Sequence, residues 1–352
     1  MNLADFVARL AARTHPERAA AWDAVGLQVG DPAEEVRTTM VVHEVTEEVT
    51  EQVINEPVDL VVSYHPLLFR PASRLVPDRS PSGRATRLLR AGIAVVVTHS
   101  DFDAMPGGMS DAMADALGLT DIAGFAPVKP ADQVKIVTFV PADSVAAIIA
   151  GLSAVGAGQI GDYEECAFTV DGVGRFRAGD ATNPTVGQSG RRNTEAEVRV
   201  EMIAPAPSTD AMLEALIAGH PYEEPAFDVF PVSSNHALGG RLGAFAGSWD
   251  DLVERAVDAF EPEGLRLGRD PAAGVPRRVA VSPGAGESRI AAAVTAGCDV
   301  LVSGDISHHR MVEATDRGLS VIDVGHAASE RPGMRRLVDL VAEIVAEPGV
   351  AP

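Results

Sequence analysis

The sequence predicts an α/β protein interrupted by an α+β insert, on three observations. Short aliphatic and β-branched runs alternate with helical stretches to about residue 126, and again from about 236. That alternation lays parallel strands under covering helices. Between those limits the order becomes strand, helix, hairpin, strand, helix, strand, a split β-α-β unit of the ferredoxin-like type. Three of the apolar runs also deliver His, Asp or Glu just past their carboxyl ends. In an open α/β sheet those ends share one crevice. The expected organisation is one discontinuous domain, 1–126 with 236–352, and an inserted domain, 127–235.

In order, MNLADFVARLAART places Leu3, Phe6, Val7, Leu10 and Ala11 on one stripe of a first helix. Asp5 and the continuation into WDAVGLQVG mark a native helix rather than a transit peptide. Gly26, Gly30 and Pro32 break residues 20–32 into an irregular segment, where Trp22 reads as cover for a sheet edge. Residues 37–45 read as a strand, with His43 a structural side chain pointing from it. Thr46 caps the helix of 46–55, whose acidic first turn complements the helix dipole. DLVVSYHPLLFR (59–70) is a strand that runs into Tyr64 and His65, followed by a Pro-rich loop, 70–82, and a helix near 84–90. The next strand leads to His99 and Asp103, and Ser110 is expected to cap a helix closed by Gly118.

In the insert, strands are expected at 135–141, 195–205 and 225–232, a hairpin at 165–179, and helices at 143–158 and 208–220. The α/β pattern resumes with strands near 278–283, 299–303 and 319–324, and a closing helix to about Val345.

Composition narrows the function classes. Of 352 residues, 46% are apolar and 22% charged, and the 29 basic against 50 acidic residues give a net charge of −21. So negative a surface, without a basic cluster, repels a phosphate backbone, which argues against nucleic acid as partner. Cys166 and Cys298 stand in no metal-ligand spacing and read as small buried residues of a reduced, cytoplasmic protein. No apolar run approaches membrane-spanning length.

The chemistry concentrates at the strand ends. In SVIDVGHAASE a short buried strand meets Gly325, and His326 and Glu330 follow at i and i+4 on one helical face. An imidazole and a carboxylate converging there suit a divalent metal. His65, His99 and Asp103 end two other strands, and together these endings point to one site.

WDAVGLQVG, YHPLLF, HSDFD with GGMSDAMADALGL, SPGAG, SGDISHH and GHAASE occur in that order and span nearly the whole chain. Together they resemble the NIF3-like (DUF34) family, known in bacteria as GTP cyclohydrolase 1 type 2 homologues. The middle segment, with GVGRFR and HPYEEPAFDV, resembles the PII/CutA-like insert of its longer members. The resemblance implies a pair of divalent metals (Zn, Mn, Fe, Co or Ni, one or two per chain). Asp103 would bind the first, His65 and His326 the second, and Glu330 both. Where the family usually has a further histidine this chain has Tyr64, and a neutral phenol is the poorer ligand for a borderline metal. One tightly held ion and one weaker site are therefore expected. The resemblance also implies a homo-oligomer, a ring-shaped hexamer, acting on a small-molecule substrate or ligand.

His99 and His309 are the candidates for proton transfer. SPGAG (282–286) reads equally as an anion cradle and as a tight turn. In SGDISHH, Asp305, His308 and His309 are placed at the rim of the same crevice, and HPYEEP (220–225) is read as a Pro-bracketed loop. Two function classes follow: a metal-dependent hydrolase of a nucleotide-like or phosphorylated small molecule, or a non-catalytic metal-binding regulator whose insert senses a small ligand.

Overall fold

Leu3, Phe6 and Leu10 recur at helical spacing and bury one face of the first helix, α1 (Leu3–Thr14). The structure is a computed structural model that describes residues 1–128, 133–232 and 238–347. After α1 come β1 (Gly26–Val29), β2 (Thr39–Val42), α2 (Glu47–Asn55), β3 (Leu60–Ser63), α3 (Pro81–Arg90) and β4 (Ala94–Val97). Next are α4 (Ser100–Ala104), α5 (Met109–Ala116) and β5 (Thr120–Pro127). The middle of the chain forms β6 (Gln133–Val140), α6 (Val145–Ser153), β7 (Ala167–Arg177), β8 (Arg192–Pro205), α7 (Thr209–Gly219) and β9 (Phe227–Val232). The last part forms β10 (Leu238–Ala244), α8 (Trp249–Phe260), β11 (Arg266–Gly268), β12 (Arg278–Ala285) and α9 (Ile290–Thr295). It closes with β13 (Val300–Gly304), α10 (His308–Asp316), β14 (Ser320–Asp323) and α11 (His326–Ala346).

Two compact units result, residues 1–129 with 237–352, and residues 130–236. The first holds two sheets rather than the single open sheet expected from sequence. One is four-stranded in the order β1-β4-β3-β2, parallel except for β1. The other is six-stranded, β11-β14-β13-β12-β10-β5, with β12, β13 and β14 parallel. The parallel strands of both are largely aliphatic, so periodicity alone cannot assign them to one sheet or two.

β1 lies in the segment read as irregular: Gly26 opens the strand and Gly30 follows it, both at positive φ, instead of breaking it. β5, β10 and β11 are also additions to the reading. β10 (LGGRLGA) carries the glycines of a loop, yet a Cβ at Gly243 would lie 2.7 Å from the Thr120 carbonyl oxygen. There the small residue serves close backbone approach within a strand. Gly108 rather than Ser110 takes the cap position of α5; the Ser110 hydroxyl instead donates to the Gly239 carbonyl.

Helix α11 joins the two cores of this unit. Its first turns pack Ala328 with Val302 and Ile322 over the six-stranded sheet. Its later turns pack Leu337, Leu340, Val341 and Ile344 with α1, Val62 and Tyr64 of the four-stranded layer.

In the second unit the sheet order is β7-β8-β6-β9, antiparallel throughout. Residues 165–179 are one arm of a hairpin, not a whole one. β7 runs through Gly172 and Gly174 and pairs with β8 from Ala167↔Met202 to Arg177↔Arg192. Cys298 is buried as expected, whereas Cys166 is partly exposed.

Leu238 pairs directly with Pro127 across β5 and β10. The chain therefore leaves the six-stranded sheet and re-enters it at neighbouring positions, as the two arms of a hairpin do. Replacing residues 130–236 with a short Gly/Ser turn is expected to leave a soluble protein that melts in one cooperative thermal transition. A non-cooperative melt, with loss of the helical circular dichroism of the remaining unit, would show that this unit needs the insert to fold.

Candidate functional site

Four strand ends deliver the side chains of the cluster. β2 ends at Val42 and is followed by His43, β3 by Tyr64 and His65, and β4 by Thr98 and His99. The parallel ladder continues past the strands: the Tyr64 amide donates to Val42 and the His65 amide to the His43 carbonyl, at 3.0 and 2.9 Å. That sets the rings of His43 and His65 edge to face, 4.6 Å apart. From the other sheet, β14 passes through Gly325 at φ +85° into α11, which opens with His326.

Glu330 is the centre. Its side chain is 2% exposed, one helical turn beyond His326. One carboxylate oxygen, Oε2, meets His43 Nε2 at 2.6 Å and His65 Nε2 at 3.2 Å. The other, Oε1, meets His326 Nε2 at 3.2 Å. His43, His65 and Glu330 form a group that could hold a metal ion, their donor atoms all within 4.8 Å of one another. Two donors of a tetrahedral ion, each about 2.0–2.1 Å from it, stand roughly 3.3 Å apart; the His65–Glu330 separation of 3.2 Å matches that spacing, while His43 at 2.6 Å stands in closer hydrogen-bond contact.

Carboxylates behind the rings fix their orientation. His326 Nδ1 donates to Asp305 Oδ2 at 2.8 Å, leaving Nε2 for the cluster. His99 Nδ1 lies 3.0 Å from both oxygens of Asp23, a carboxylate that also accepts from the Ser100 amide and hydroxyl. Asp23 can only accept, so His99 carries its proton on Nδ1 and keeps the Nε2 lone pair free. The His99 ring lies 5.0 Å from that of His65 and 5.2 Å from that of Tyr64. Tyr64 donates its hydroxyl to Asp103 Oδ1 at 2.6 Å.

Burial and charge perturb several of these groups. Burial alone would raise the Glu330 carboxyl, but hydrogen bonds from His326, His43 and His65 outweigh it and hold it well below the usual range. Its bond to Glu330 lifts His326 to about 9. Burial pushes Asp103 up to about 7, against the opposing pull of His99 and Tyr64. Burial also keeps the Tyr64 phenol protonated well above its ordinary value. His99 is raised: burial works against it, and the Asp23 hydrogen bond with the charges of Asp103, Asp23 and Glu330 prevails.

The structure thus brings together His65, His99, His326, Glu330 and, through Tyr64, Asp103. It places His308 and His309 elsewhere, exposed at the start of α10 with their rings 5.7 Å apart. Among the described residues no hydrogen bond or ring contact ties either to the cluster. Asp305 of the same motif does reach it.

His43 corrects the reading from sequence. It lies just past the strand rather than within it, and it makes the shortest of the contacts between histidine and Glu330. The signal was available, since MVV-His43 repeats the pattern of VVSY-His65, but the continuation into Glu44 and Val45 disguised the strand's end. Asp23 was missed as the partner of His99 because nothing in WDAVG marks a buried carboxylate. Trp22 is 61% exposed and sets its ring beside Phe69 and His99 rather than sealing a sheet edge.

SPGAG is a close-packing device, since the Gly284 amide donates to Ser329 Oγ and the Gly286 amide to the Gly304 carbonyl. A Cβ at Gly284 would stand 2.8 Å from Glu330 Oε1.

Fold and site define a discontinuous α/β protein with a buried carboxylate shared by three histidines. The chain belongs to the Duf34/NIF3 (NGG1p interacting factor 3) family, whose model matches residues 1–350. It is 38% identical over 341 residues to a Mycobacterium tuberculosis protein, covering 94% of this chain and 89% of the relative. It is 35% identical over 314 residues to a Bacillus subtilis protein, covering 88% and 83%. Both relatives are named GTP cyclohydrolase 1 type 2 homolog. Among solved structures it is similar to a Bacillus cereus protein related to NIF3, with a TM-score of 0.61 and 28% identity over 100% of this chain and 98% of that one. No helix among the described residues is long and apolar enough to cross a membrane.

In the metal-free protein the His326–Glu330 pair makes stability depend on pH. His326, raised from 6.5 to about 9, contributes stability that is complete below 6.5 and lost as pH rises through about 9. Glu330, depressed from 4.5, contributes above 4.5 and loses its contribution as pH falls through its folded value. Unfolding free energy from denaturant titration of chelator-treated protein is expected to fall between pH 6.5 and 9, and Glu330→Gln to flatten that slope. An unchanged slope in the variant would remove the pair as its source.

Proposed function

We propose that this protein is a divalent-metal-dependent hydrolase of a nucleotide-like or otherwise phosphorylated small molecule. The observation that carries the reading is Glu330, whose two carboxylate oxygens face histidines on opposite sides. That is the disposition of a carboxylate able to serve two ions. His65, His326 and Glu330 would hold the better-bound ion, and Asp103 the weaker one beside Tyr64. The mixed nitrogen and oxygen donors suit Zn, Mn, Fe, Co or Ni. A divalent cation, when bound, supplies Lewis acidity to a phosphoryl oxygen or to a water.

The remaining steps belong to the chain itself. Asp305 accepts from His326 Nδ1 and so keeps Nε2 directed toward the site. Asp23 holds the His99 ring, so Nε2 can take a proton from an attacking water and return it to a leaving oxygen. Trp22 and Phe69, exposed with ring centroids 5.7 Å apart and planes tilted by 54°, offer aromatic faces next to His99, on one of which a base can stack. The names of the bacterial relatives accord with a nucleotide-like substrate. A cytoplasmic homo-oligomer, a ring-shaped hexamer, is the assembly this reading carries with it.

A second reading is favoured by the insert. Its β-α-β-β-α-β order with sheet order β7-β8-β6-β9 accords with a ferredoxin-like module. It contains a cavity of about 650 Å3 lined in part by Arg175, Arg177, Arg199 and Tyr222. In this reading the metal site is non-catalytic and the insert senses a small ligand.

The deciding experiment is metal analysis after dialysis, followed by assay against a panel of nucleotides and phosphoesters. Wild type is expected to retain divalent metal and hydrolyse at least one class. Glu330→Gln is expected to lose metal and to lower hydrolysis by at least about 100-fold, given that even groups beyond the ligands affect metal sites by roughly 10–100-fold. Retained metal without hydrolysis would leave the sensing role; a wild type without metal would end both.

A further inference from the structure

We propose that His43 is a metal ligand of this protein, supplying the imidazole that position 64 lacks. The proposal rests on the metal-binding reading above. Three observations carry it. His43 Nε2 is the nitrogen nearest Glu330, at 2.6 Å from Oε2, and it shares that oxygen with His65 Nε2 at 3.2 Å. These three residues are the group whose donor atoms all lie within 4.8 Å. Tyr64 meanwhile is fully buried and has committed its hydroxyl to Asp103, so the phenol offers the cluster no donor.

Geometry makes the two positions exchangeable. The His43 ring stacks on the Tyr64 ring, with centroids 5.8 Å apart and planes 23° from parallel. The backbone ladder between β2 and β3 fixes that register, since the Tyr64 amide donates to Val42 and the His65 amide to His43. A nitrogen ligand can therefore enter from either strand and still reach the region beside Glu330 Oε2. In this chain it enters from β2. The His43 side chain is about a third exposed, against a fifth for His65, so the ligand also stands on the open side where substrate would approach.

The arrangement answers a chemical difficulty. With Asp103 and Glu330 alone, one side of the site has only hard oxygen donors, which hold a borderline ion loosely. Adding His43 gives His43, His65 and Glu330 on one carboxylate oxygen, three protein ligands with a position left open. His326 remains on the opposite oxygen, Oε1. The better-bound ion assigned above to His65, His326 and Glu330 would then take His43 in place of His326.

The test is metal affinity, read by isothermal titration of the metal-free full-length protein with Zn²⁺ and by the visible absorption of the Co²⁺ form. His43→Leu is expected to weaken the tightest site at least about 10-fold, the lower end of what groups beyond the ligands themselves cause. It is also expected to shift the Co²⁺ spectrum by loss of a nitrogen donor. The double variant His43→Leu/Tyr64→His is expected to regain most of that affinity, because the nitrogen re-enters from β3. Thermal melts of the metal-free forms check that each variant folds, with His43→Gln as the alternative if the leucine variant does not. Unchanged affinity and spectrum in a folded His43 variant would overturn the assignment while leaving the metal-binding reading intact. A wild type that binds neither ion would overturn both.

Discussion

The structure depends on one buried carboxylate. A carboxylate taken out of water is strongly disfavoured unless paired and hydrogen-bonded, and among the described residues Glu330 has no lysine or arginine partner. Three imidazoles from two sheets compensate it. The geometry requires strand ends from both sheets to arrive within hydrogen-bond reach of one helical turn. Helix α11 makes this possible because its apolar face is divided: Ala328 belongs to one core, and Leu337 to Ile344 belong to the other. Glu330 lies between those segments, near the helix N-terminus, where the backbone dipole also favours negative charge.

Close backbone approach is the second condition, and it explains two glycine motifs. A Cβ at Gly304 would lie 2.7 Å from the Gly325 carbonyl oxygen and 2.7 Å from the His326 nitrogen. At Gly284 it would press on both His326 and Glu330, in a backbone conformation at φ +61°. SGD and SPGAG therefore hold their glycines because the ends of β12 and β13 crowd the start of α11. The sequence allowed SPGAG as an anion cradle, and the hydrogen bonds already made by its Gly284 and Gly286 amides explain why the other reading prevails.

What was legible in the sequence follows from this. The i,i+4 pair of His326 and Glu330 and the strands ending at His65 and His99 are local patterns, and each lies where its period predicts. The two-sheet arrangement was not legible, because fully buried aliphatic strands read alike whichever sheet they join. β5 and β10 were hidden by glycines that serve packing, and His43 by the continuation into Glu44 and Val45, which disguised where the strand ends at Val42. Asp23 was invisible for another reason. Its role comes from burial against Ser100 and His99, residues 77 and 76 positions away, and no local period encodes such a contact.

The charge arrangement separates two kinds of proton chemistry inside a small volume. Around Glu330 the imidazoles dominate, so that carboxylate stays ionised far into the acid range. Around Asp103 burial dominates, and the nearby Glu330 and Asp101 charges add to it, so that carboxyl titrates near 7. Tyr64 stands between them, its ring against His65 and His43 and its hydroxyl on Asp103. An imidazole at that position would add a fourth nitrogen to the Glu330 side and take the hydroxyl donor from the Asp103 side. The phenol instead leaves an ionised carboxylate next to a carboxyl that shares its proton near neutrality, two environments driven apart by their surroundings. His43, delivered just past β2, reaches Glu330 and among the described residues makes no hydrogen bond to Asp103, so the two environments stay separate.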